Sequence, residues 1–122
     1  MKRNWDVIRE VLIEVESLGF NERSSFDYSL SYRDTEENTS KAEHALLLWK
    51  AGLITAVDAG SMDGPAILAP ELTWQGHELL EIMRSNPVWD RIKSVASDKG
   101  LELSFEAILA LGKAAVAWVI AQ

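Results

Sequence analysis

Residues 53–72, LITAVDAGSMDGPAILAPEL, constrain the fold more than any other stretch of the chain. Two short apolar runs, 53–57 and 67–72, flank AGSMDGP, whose Gly, Asp and Pro favour a turn. A β-hairpin is predicted. Pro70 removes a ladder donor, which places the second strand at a sheet edge. A hairpin must bury one face, so the partners have to come from the flanking segments.

Those segments are mostly helical in period. Trp5, Ile8, Leu12 and Val15 lie three or four residues apart, and Gly19 supplies a stop. FDYSLSY, residues 26–32, alternates as a short half-buried strand does. Ala42, Ala45, Leu46 and Trp49 mark a helix over about 35–51, closed by Gly52; Asp34 with Glu37, or Ser40 with Glu43, could form its capping box. Thr73 caps a helix to about Arg84, with Leu79, Leu80 and Met83 inward. Pro87 starts another, carrying Val88, Ile92 and Val95 to Gly100. Ser104 caps the last, with Phe105, Ile108, Leu109, Val116 and Val119 as its buried stripe. Trp5, Trp49 and Trp89 belong to the core, and Trp74 is partly exposed.

Helix, strand, helix, hairpin, helix is a winged-helix-like order. The expected fold is α+β, helix-rich, with a small antiparallel β-hairpin as the wing and two C-terminal helices. The 122 residues suit one domain, 1–122, with a core over 1–86 and a helical extension over 87–122.

Four words in order carry a family resemblance: MKRNWDVIREVLIEVE, EHALLLWKAGLI, LTWQGHELL and NPVWDRIKSVASDKGLELSFEAILAL. Together they resemble the prophage-associated domain of unknown function family twenty-five thirteen. Residues 21–38 follow its pattern less closely. The resemblance implies a winged-helix-like core and frequent placement in phage-derived regions of bacterial genomes. It implies no reaction. LTWQGHELL also resembles the word that closes the second wing strand in many bacterial regulators. There Thr caps the next helix and Gly lets that helix pack closely against its neighbour.

The chemistry-bearing residues are sparse. The chain has no cysteine, which removes disulfides and thiolate metal sites. His44 and His77 stand on separate helices without a ligand-type spacing, and read as packing residues. Neither a nucleophile elbow nor a phosphate-binding loop is present, and Ser61 is a turn residue. The expectation is a non-enzyme that uses no cofactor and no metal. Asp6, Glu10 and Glu14 break any signal-peptide run, and Lys113 interrupts the most apolar segment, where a lysine at a bilayer's centre costs roughly 2.5–3.5 kcal/mol. A cytoplasmic location without a membrane span is expected.

Charge opposes the DNA role that the fold suggests. The net charge is −7, and residues 53–72 hold Asp58, Asp63 and Glu71 with no Lys or Arg. Such a wing is repelled by phosphates. On the DNA reading the contacts would be Arg33, Asn38, Thr39, Lys41, Arg84, Arg91 and Lys93. Residues 84–99 are locally basic, Arg84, Arg91, Lys93 and Lys99 standing against Asp90 and Asp98. The favoured expectation is a regulatory or interaction module with an unidentified protein partner; a winged-helix DNA-binding regulator is the alternative. A homodimer is expected as well. Residues 105–121 are apolar almost all round, with Leu111, Ala114, Ala115 and Trp118 as the expected interface.

Overall fold

Asn4 opens the first helix in a computed structural model that describes residues 1–31 and 34–122. Its side-chain oxygen accepts from the Asp6 N–H at 2.9 Å, satisfying a donor that the first turn cannot. Helix α1, Trp5–Ser17, buries Ile8, Val11, Leu12 and Val15. A short helix, α2, Phe20–Arg23, follows and leads into strand β1, Asp27–Ser29. The strand is shorter than the predicted 26–32, but its alternation holds: Tyr28 is buried between exposed neighbours.

Thr35 caps helix α3, Glu36–Lys50, by accepting from the Asn38 N–H at 3.1 Å. Neither expected capping box is needed. The helix buries Ala42, His44, Ala45, Leu46 and Leu48. Gly52, at φ 81°, turns the chain into strand β2, Ile54–Asp58. Strand β3, Ala66–Leu72, returns antiparallel to it, so the predicted hairpin is present.

The sheet order is β1-β3-β2, and this corrects the edge assignment for the Pro70 strand. β3 is central. Two features let a proline sit there. The last bond toward β1 is donated by Ala69 N–H to the Phe26 carbonyl, so β1's pairing stops before Pro70. On the other side Thr55 pairs with Glu71 and Val57 with Leu68, which sets Ala69 and Pro70 against Ala56 alone. That is a β-bulge, and Ala69 takes φ 56° within it. A bulge leaves one residue out of the ladder, so the missing N–H costs little.

Helix α4, Trp74–Arg84, begins at Thr73 and buries Leu79, Leu80 and Met83. Helix α5, Asn86–Asp98, is capped by Ser85 and carries Pro87 in its first turn. Helix α6, Phe105–Ile120, is capped by Ser104. The described chain is therefore α+β: six helices and a small three-stranded antiparallel sheet. It divides into two compact units, Met1–His77 and Glu78–Gln122. In the second unit α6 buries Ile108, Gly112 and Ala115. A Cβ at Gly112 would meet Ile82 at 3.0 Å, which fixes how closely α6 lies on the end of α4. Val116, expected in the buried stripe, is exposed instead.

Candidate interaction surface

The two words that dominate the sequence meet where the hairpin leaves and re-enters the helices. Thr73 Oγ1 accepts from the Gly76 N–H at 3.2 Å and donates to the Gly52 carbonyl at 2.8 Å. One hydroxyl thus caps α4 and ties it to the turn that ends α3. Gly76 lies against the Leu53 carbonyl so closely that a Cβ would collide with that oxygen. The close neighbour of α4 at Gly76 is thus the backbone entering β2.

His44 is buried and fully engaged. Its Nε2 accepts from the Asn4 N–H at 2.9 Å, and its Nδ1 faces the Ser40 carbonyl at 2.7 Å. With Nε2 accepting and Nδ1 facing the carbonyl, the ring bridges the start of α1 to α3. His77 lies exposed on α4. Among the described residues no group of three or more His, Cys, Asp or Glu could hold a metal ion. No helix of the described chain is long and apolar enough to cross a membrane.

A polar cluster on α1, β1 and α3 escaped the sequence reading. The Tyr28 hydroxyl donates to Glu14 Oε1 at 2.6 Å, and Lys41 Nζ lies 3.6 Å from Glu14 Oε2. Burial, and then the carboxylate that accepts its proton, push the Tyr28 phenol well above its ordinary range. The alternation of 26–32 marked Tyr28 as inward, but nothing local to Glu14 pointed to its partners.

The residues of the DNA reading are dispersed in role. Arg33 lies outside the described residues. Asn38, Thr39 and Lys41 belong to the first unit; Arg84, Arg91 and Lys93 belong to the second. Asn38 Nδ2 donates to Asp34 Oδ1 at 2.9 Å, and Lys41 is held by Glu14. Arg84 pairs with Glu81 at 3.3 Å, Lys93 with Asp90 at 4.0 Å, and Arg91 stacks on Trp118 at 4.3 Å. Most of these cations already have an anionic or aromatic partner.

What α3 and the hairpin do offer is an apolar groove of about 620 Å³ in the first unit. Leu46, Leu47 and Trp49 line it from α3, Leu30 lines it from the end of β1, and Asp58, Gly60 and Pro65 from the hairpin. Glu43 and Lys50 complete its charged lining from α3. At the hairpin's end Met62 is wholly exposed, and Val57 is exposed on β2. The four expected dimer residues, Leu111, Ala114, Ala115 and Trp118, line one groove of about 410 Å³ beside Arg91, and Ala115 is buried there, at 4% exposure.

Comparison with known proteins gives one family and one relative. The model of a family described as "Hypothetical protein (DUF2513)" matches residues 2–102. A protein of Haemophilus influenzae, described as "Uncharacterized protein", is 37% identical over 121 residues, covering 99% of this chain and 100% of that one. No solved structure matches the chain significantly.

Proposed function

The chain belongs to the DUF2513 family, and from that premise we propose a non-enzymatic regulatory or interaction module that acts through protein contacts. The order of α1, β1, α3 and the hairpin supports a winged-helix-like reading of the first unit. The surface that such a fold would set against a duplex is α3 with the wing. Here that surface is an apolar groove whose hairpin wall bears Asp58 and no cation. This single observation carries the proposal. Phosphates would meet Asp58 and Glu43 there, opposed by Lys50, whereas apolar side chains of a protein partner would find a groove to fill.

The test uses a change inside the groove. Leu47 is half-buried and lines it, so Leu47→Glu alters the surface without emptying the core. A partner captured from the native host by the wild type and lost with Leu47→Glu supports the proposal. The DNA-binding alternative rests on the winged-helix-like order and on Arg33, Asn38, Thr39, Lys41, Arg84, Arg91 and Lys93. Duplex binding that weakens steeply with salt would replace the protein-contact reading by that one.

A further inference from the structure

Helix α6 carries two charged side chains in its sixteen residues, Glu106 and Lys113. They are seven residues apart, which on an α-helix is about 10 Å along the axis and about 20° around it. Both therefore stand on the same face, and both are exposed. Ala110, Ala114 and Ala117 share that face and are exposed too. Among the described residues neither Glu106 nor Lys113 forms an ion pair within the protomer. The flanks are apolar: Val116, Trp118 and Ile120 are 39%, 43% and 78% exposed.

We propose that this face binds a second copy of the chain, with the two α6 helices antiparallel about a two-fold axis between Leu109 and Ala110. The charge pattern selects both occupant and register. The point midway between Glu106 and Lys113 falls between Leu109 and Ala110, so reversing the helix about it sets each glutamate opposite the other copy's lysine. A two-fold axis makes both pairs at once. A parallel pairing in register would set like against like. The alanines around the axis allow the backbones to approach to about 8 Å, which brings the apolar flanks of each copy onto the other. This association is independent of the groove on the first unit, so either proposal can fail alone.

Sedimentation equilibrium of the full chain, with circular dichroism to verify folding, tests the register. The wild type is expected to be dimeric at micromolar concentration. Glu106→Lys or Lys113→Glu alone turns two attractive pairs into two repulsive ones and raises the dimer Kd about tenfold or more. The double variant, with the charges exchanged, restores the wild-type Kd. Because the chain has no cysteine, Ala110→Cys under mild oxidation gives a covalent dimer when residue 110 of two copies meets beside the axis. A monomeric wild type overturns the proposal. So do single reversals that leave Kd unchanged, a double variant that stays as weak as the singles, or an Ala110→Cys variant that does not cross-link.

Discussion

His44 shows how one side chain can hold a helix start in place. Its ring satisfies the Asn4 N–H and the Ser40 carbonyl together. His44→Ala strands both groups, and urea unfolding is expected to show a loss of about 2–3 kcal/mol. His77→Ala, at an exposed position, should stay within about 0.5 kcal/mol of wild type in the same measurement. Gly76 is constrained by volume instead of bonding. Gly76→Ala drives a methyl into the Leu53 carbonyl, so the chain must shift, at about 2 kcal/mol or more despite alanine's better helix propensity. Tyr28 adds a pH dependence. Its ionisation is raised above the ordinary 10.0 by burial and then by the bond to Glu14. A raised ionisation means the folded state holds the proton more tightly than the unfolded one. That stability is complete below the ordinary value and drains as pH climbs toward the folded one. Tyr28→Phe should therefore cost about 2 kcal/mol near neutral pH and make the alkaline decline above pH 10.0 shallower, as denaturation against pH would record.

At the scale of elements, the bulge in β3 explains why propensity misleads there. Ala69 sits at φ 56°, where a branched Cβ is crowded by its own backbone. Ala69→Val, an improvement in an ordinary strand, is expected to lower stability by about 1–2 kcal/mol in thermal or urea unfolding. The helices were legible because their periods and caps are local: Thr35, Ser85 and Ser104 cap α3, α5 and α6 where the sequence placed helix starts. The central position of β3 was not legible. It depends on β1 pairing across nearly forty residues, and Pro70 by itself argues for an edge. Helix α2 was missed because four residues carry no period, and the strand at 26–32 was drawn too long because alternation continues past the last paired residue. Of the groove, Leu46 and Trp49 were visible as an apolar helix face, but its hairpin wall is a product of the turn geometry. Glu14 illustrates the limit: its partners Tyr28 and Lys41 come from two other elements.

For the whole molecule, net charge opposes the duplex partner that a winged-helix-like order would suggest. With a net charge of −7 and a hairpin free of cations, the chain is expected to leave a labelled duplex unbound at low salt up to about 10 µM, a range in which non-specific binders begin to associate. Fluorescence anisotropy reads this directly. The same economy of small elements governs behaviour in crowded solution. The sheet has two open edges, β1 and β2. One is only three residues long, and the other ends at Asp58 and lies opposite a bulge that interrupts its ladder. Short, charged and twisted edges are poor templates for strands from another molecule. Cross-β fibres therefore find poor templates on the described strands, and a concentrated preparation should remain clear and dark to amyloid dyes until the sheet itself has unfolded.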